Sequence, residues 1–264
     1  MKIWMVDAFT NQAYSGNPAA VTIVKEFPSN EQCQQIAAEI NLSETAFVKP
    51  LIGQKFHIRW FTPAVEVKLC GHATLASAHI LFQEKIVEDG LIQFESLSGP
   101  LNVCRSIDGL TLDFPLQQTK AALDTKLFEN IFNTKVIAAE TAVDDLIIEF
   151  SDENVLRQLI VDPKKIAEID YRAIILTAKS VGKYDFVSRF FAPKIGINED
   201  PVTGSAHCKL AYYWQKKLNK NKFLAFQASK RGGELQLEII DKRVHLTGNA
   251  VTVLSGNWLI KPSF

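Results

Sequence analysis

Residues 56–79 (FHIRWFTPAVEVKLCGHATLASAH) and 186–212 (FVSRFFAPKIGINEDPVTGSAHCKLAY) repeat one another, and this self-similarity limits the folds open to the chain more than any other feature. Arg59, Phe61, Pro63 and Val65 match Arg189, Phe191, Pro193 and Ile195 at an offset of 130 residues. After three inserted residues, Cys70, Gly71, His72 and Ala73 match Thr203, Gly204, Ser205 and Ala206 at an offset of 133. Each copy reads as a strand, a proline turn, a glycine and an inward-facing helix. Offsets close to half of 264 residues predict a duplication, with two lobes that are each a curved sheet around a helix. A duplication also predicts two glycine-led helix N-termini facing one another across a cleft, whose unpaired N–H groups bind a carboxylate or phosphate.

Strand signals fill the space around the repeats. Short β-branched and aromatic runs at 2–9, 20–24, 44–48, 56–62, 92–96, 101–107 and 109–114 are separated by Gly, Pro, Asn and Asp, and the second half continues in the same way. Helix signals are few. Ser29 opens a capping-box pattern before Ile36, Ala37 and Ile40, and HATLASAHILF after Gly71 is apolar on nearly every face, which predicts a helix surrounded by protein. SAHCKLAYYWQKKL after Gly204 turns Ala206, Leu210, Tyr213 and Trp214 inward, and Asp152 caps a fourth helix through NVLRQLI. The polar stretch PLQQTK, from Pro115 to Lys120, is the expected linker. It gives a first lobe of residues 1–117, completed by a closing strand at 255–264, and a second lobe of residues 118–254.

Composition removes several function classes. With 29 Lys and Arg against 29 Asp and Glu, scattered along the chain, there is no basic footprint for nucleic acid or an anionic membrane. No apolar run reaches the roughly 18–20 residues of a membrane-spanning helix. Four well-separated cysteines without a CxxC pair, and an N-terminus broken by Asp7, Asn11 and Gln12, point to a reducing, cytoplasmic setting. Nothing in the chain resembles a GxGxxG or Walker loop.

The segments DAFTNQAYSGNPAAV (7–21), NLSETAFV (41–48), FTPAVEVKLCGHATLASAH (61–79), EDPVTGSAH (199–207) and RGGELQLE (231–238) resemble the phenazine-biosynthesis PhzF-like family, within the diaminopimelate-epimerase-like superfamily. The motifs run in family order over essentially the whole chain. The resemblance implies an α+β fold of two similar lobes, each a mostly antiparallel sheet or barrel around a central helix and related by a pseudo-two-fold. It implies a cofactor-free site between the lobes, a small carboxylated substrate and a homodimer. The best-known member isomerises trans-2,3-dihydro-3-hydroxyanthranilate by moving a hydrogen along a diene. Its acidic base matches Glu44, and its other site residues match His72, Asp200 and Ser205.

Residue chemistry agrees with those roles while leaving plainer readings open. Moving a carbon-bound hydrogen needs a group that removes a proton and returns it nearby, and a carboxylate in apolar surroundings is tuned toward that task. Glu44 either does this or pairs with a cation at a strand end. His72 is a ligand donor and proton shuttle or a satisfied polar residue at a helix end. Asp200, held extended by Pro201, either aims its carboxylate at the substrate or opens a turn. Ser205 is a substrate donor or a cap, Gly71 and Gly204 allow close approach to the ligand, and Asn17 shapes a turn that lines the cleft. His207 and Cys208, about 100° apart on a helix, are read as packing or exposed residues.

Cys70 is a packing residue or a thiol activated by a helix N-terminus. The second choice makes the chain an epimerase, but the matching position in the other copy is Thr203, so two-thiol racemisation lacks a base. A non-catalytic protein that binds a small acid is a further alternative. No metal site is expected, since His72 and His79 lie about 10.5 Å apart along a helix.

Overall fold

The computed structural model describes every residue except 123 and 261–264. Two compact units form, one from Met1–Asp113 together with the chain from Thr247 onward, the other from Phe114–Leu246. The first unit runs to Asp113 and resumes at Thr247, where the sequence reading places 1–117 and 255–264; residues 261–264 of that last segment lie outside the described residues.

The first unit begins with β1 (Lys2–Ala8), β2 (Asn17–Ile23), α1 (Asn30–Ile40), β3 (Glu44–Pro50), β4 (Lys55–Phe61) and β5 (Glu66–Val67). The central helix α2 (Gly71–Gln83), β6 (Leu91–Ser96), β7 (Gly99–Ser106) and β8 (Gly109–Pro115) follow. The second unit contains β9 (Lys120–Ala122), α3 (Lys126–Phe132), β10 (Val136–Ala142), β11 (Asp145–Phe150), α4 (Glu153–Gln158), α5 (Pro163–Glu168) and β12 (Ala173–Lys179). It continues through β13 (Phe186–Ala192), β14 (Ile197–Asp200), α6 (Gly204–Leu218), β15 (Lys222–Gln227), β16 (Gly233–Ile240) and the first four residues of β17 (Arg243–Gly248). A last strand, β18 (Ala250–Asn257), pairs antiparallel with β1 in the first unit.

The same pairing order occurs in both units. In the first, β1/β2 is antiparallel, β2/β3 parallel, β3/β4 antiparallel, β4/β6 parallel and β6/β7 antiparallel. In the second, β10/β11, β11/β12, β12/β13, β13/β15 and β15/β16 alternate identically. The four parallel pairs reflect helical crossovers, because parallel neighbours cannot be joined by a tight turn. Side chains repeat as well. Arg59 grips Glu66 with two bonds of 2.8 Å and lies 5.0 Å over Phe61, while Arg189 grips Glu199 at 2.7 and 3.0 Å and lies 5.0 Å over Phe191.

Each unit is built around its long apolar helix. In α2 every residue from His72 to Ala78 is buried, and Leu75, Ile80 and Leu81 are fully enclosed, each contributing roughly 1.5–3 kcal/mol by burial. The two hydroxyls inside it are satisfied within the helix, Thr74 donating to the Cys70 carbonyl at 2.5 Å and Ser77 to the Ala73 carbonyl at 2.7 Å. In α6, Ala206, Leu210, Tyr213 and Trp214 are buried as the apolar spacing requires. Trp214 stacks on Phe186 and donates to Thr177, Tyr213 donates to Glu149, and the buried Lys209 is neutralised by Asp144 and Asp145. A second core in this unit, around Phe128, Phe150, Leu156 and Ile166, packs α3, α4 and α5 against the strands. Among the described residues, no helix is long and apolar enough to cross a membrane.

Candidate active site

Glu44 is placed by the end of α1. Asn41 takes up a left-handed conformation there (φ 54°) and donates its N–H to the Ala37 carbonyl, a helix stop that asparagine tolerates well. The chain then enters β3, whose first residue is Glu44. Strand β2 runs parallel beside it with Ala19 opposite Glu44, so Asn17, two residues earlier, is on the same side of its strand as Ala19. Asn17 is fully buried. Before it, Gly16 has φ 67°, and a Cβ there would sit 2.2 Å from the Ala8 carbonyl oxygen, so this turn requires glycine. Asp7 fixes the same loop by accepting the Tyr14 N–H at 2.7 Å.

His72 is the second residue of α2. Its Nε2 lies 3.1 Å from Oε2 of Glu44, with both side chains almost enclosed. Beyond this contact with each other, neither atom has a hydrogen-bond partner among the described residues. A buried imidazole and carboxylate in contact yet retaining bonding capacity are equipped to take a ligand. On the other edge of the ring, Nδ1 lies 3.5 Å from Sγ of Cys70. Burial by itself lowers the pKa of His72, but the thiol and the Glu44 carboxylate outweigh it and hold the imidazole well above its usual value. Burial raises the Cys70 thiol, and the Glu44 carboxylate adds to that rise.

Glu44, Cys70 and His72 offer three ligand atoms within 4.8 Å of one another. Sulfur faces Nδ1, however, and the carboxylate faces Nε2, and one metal ion can bind only one of those nitrogens. The arrangement favours proton exchange along a line over chelation. His79, two helical turns on, bonds Thr252 at 3.1 Å. It lines an open cavity of about 420 Å³ with Gln83, Arg105 and Asn249, and Glu44, Cys70 and His72 do not line it.

In the second unit, Asp200 ends β14 and is nearly buried. It accepts the Thr203 hydroxyl, and its carbonyl accepts Nε2 of Gln227 at 2.7 Å. Gln227 also accepts the Thr203 N–H at 2.8 Å, which ties strand end and helix start together. Thr203 holds the N-cap position of α6 without a side-chain capping bond, and Ser205, one residue inside the helix after Gly204, is not the cap. The α2 terminus likewise has no side-chain capping bond. Each helix thus retains N–H groups able to meet an anion. His207 and Cys208 are both buried. Nδ1 of His207 is bonded to the Thr203 carbonyl at 2.8 Å, and Cys208 donates to the Gly204 carbonyl at 3.4 Å.

Glu44, His72, Gly71 and Asn17 therefore belong to the first unit, and Asp200, Gly204 and Ser205 to the second. Sequence reasoning did not select Gln227 or Thr203 as supports of Asp200. Thr203 stood in view as the partner of Cys70 in the repeat, whereas Gln227, a polar residue closing the apolar strand KFLAFQ, carries no local signal.

The pattern of the phenazine biosynthesis-like protein family matches residues 6–256. The chain belongs to that family. An uncharacterized isomerase of Halalkalibacterium halodurans is 47% identical over 98% of both chains. The crystal structure of a PhzF-family protein from Enterococcus faecalis superposes with a TM-score of 0.91 at 40% identity, covering 98% of this chain and 99% of that one. A probable proline racemase from Agrobacterium radiobacter shares the fold, with a TM-score of 0.66 at 10% identity over 99% of this chain and 93% of that one. The α+β architecture of the PhzF-like family is thus the architecture of this chain.

Proposed function

We propose that this PhzF-like protein is an isomerase that shifts a hydrogen on a small carboxylated substrate, a cyclic or unsaturated amino or hydroxy acid, without a cofactor. The contact between Glu44 and His72 carries the reading. A carboxylate that has to accept a proton from carbon and return it needs enclosure, a charge partner and a free lone pair, and Glu44 has all three. His72, in contact with Glu44 and with its proton affinity raised by its neighbours, is placed to stabilise the carboxylate before transfer and the negative charge that develops on the substrate.

The amides that start α2, beginning at Gly71, suit a substrate carboxylate, and Asn17 closes the wall beside Glu44. In the second unit, Asp200 is assigned to a polar substrate group, and Ser205 with the Gly204 amide to an anionic one. The isomerase names carried by relatives support the reaction class. Two-thiol epimerisation is disfavoured because Thr203, in the place that matches Cys70, bonds Asp200.

The test is turnover of candidate unsaturated and cyclic amino and hydroxy acids in deuterium oxide, followed by mass spectrometry and NMR. Wild type should convert the true substrate, and Glu44→Gln should lose at least about 100-fold in kcat, within the usual range for general acid–base groups. Full activity in Glu44→Gln would remove the assigned base. Loss in Cys70→Ser with Glu44→Gln intact would transfer the role to the thiol.

A further inference from the structure

His72 is held from both edges of its ring. Sγ of Cys70 is 3.5 Å from Nδ1, and Oε2 of Glu44 is 3.1 Å from Nε2. A half-turn of the ring would set carbon atoms against the sulfur and the carboxylate, so whatever holds Nδ1 also decides that Nε2 faces Glu44. Cys70 is the residue before the helix glycine, 6% exposed and in the extended conformation. The matched residue of the second copy also meets a polar side chain, on the other side of its glycine. Thr203, also before a helix glycine, bonds the acidic side chain of Asp200. In both copies the side chain at this position contacts a neighbouring polar group that the sequence motifs single out, and its chemical type changes with that group.

We propose that Cys70 is a positioning residue: its sulfur accepts the Nδ1–H of His72 and so keeps Nε2–H turned toward Glu44. The inference deepens the isomerase reading and rests on it for its catalytic meaning. Sulfur is a weak acceptor, but in a buried site the alternative for Nδ1–H is no acceptor at all, and an unmet buried donor is costly. An apolar residue at position 70 should therefore disfavour the imidazolium, and serine, which retains an acceptor, should restore it.

The experiment is an NMR titration of the five histidines in the full-length chain, with the His72 signal identified by its absence in His72→Gln. Cys70→Ala should lower the His72 midpoint by about half a pH unit or more, and Cys70→Ser should return it most of the way. The other four midpoints should stay in place, which a general loosening of the fold would not produce. Cys70→Val, which refills the thiol's volume, supplies a second apolar variant if alanine does not fold. A His72 midpoint unchanged in the apolar variant, or serine behaving like alanine, overturns the proposal. The titration uses no substrate, so its failure is separate from failure of the isomerase assay.

Discussion

Acidification from pH 7 to pH 5 should weaken the native state by about 2 kcal/mol through His207 alone. This histidine sits on α6 with no exposed surface, its Nδ1 at 2.8 Å from the Thr203 carbonyl and its Nε2 at 3.4 Å from the Ser188 hydroxyl. Burial pushes its pKa down from 6.5 to about 4, against a smaller opposite pull from the Thr203 carbonyl. A depressed value in the folded state means that the unfolded chain takes up the proton first. Above pH 6.5 both states are neutral and nothing is lost. Below it, stability falls by about 1.4 kcal/mol per pH unit until the folded protein protonates near pH 4, a total of about 3 kcal/mol. His72 has the opposite sign: its raised value stabilises the fold below the unfolded pKa, and that contribution is lost as pH rises through the folded one. The clean measurement is therefore a difference of differences. Urea unfolding of wild type and His207→Gln at pH 7 and pH 5 cancels His72 and every carboxylate common to both. If the two proteins lose the same stability between those pH values, to within about 0.5 kcal/mol, the buried-neutral account of His207 is wrong.

Two further outcomes follow from the site and the thiols. Thr203→Val removes the hydroxyl that Asp200 accepts and should cost about 1–3 kcal/mol by thermal or urea unfolding, while Thr203→Ser should recover most of it. Unchanged stability in Thr203→Val, which keeps the methyl group and loses only the hydroxyl, would mean that the hydrogen bond contributes nothing. Of the four cysteines only Cys104 is exposed, so a thiol reagent should label one group rapidly in the native protein and all four after denaturation. Rapid native labelling of two or more contradicts the burial of Cys33, Cys70 and Cys208.

Helices were legible in proportion to the strength of their local signals. Ser29 accepts the Gln32 N–H at the start of α1, and Asp152 accepts the Asn154 N–H at the start of α4, as a short polar side chain at those places implies. Helices α3 and α5 were not anticipated. In α3 the cap position, Thr125, makes no side-chain bond, and the buried Phe128 and Phe132 alone mark the inward face. In α5 the signal was present, an Asp162 cap followed by Pro163 in the first turn, but six residues are too few for a periodic apolar stripe to show.

By itself the sequence determined the family, the paired glycine-led helices and the apolar character that encloses them. These are local or recurrent properties, written in contiguous residues and readable without knowing what lies opposite. Only the tertiary structure decided that Glu44 meets His72, that Cys70 takes the other edge of the same ring, and that Gln227 holds Asp200 from 27 residues away. Such contacts depend on strand register and on the direction in which each helix starts, and a shift of one residue in either would turn these side chains to another face.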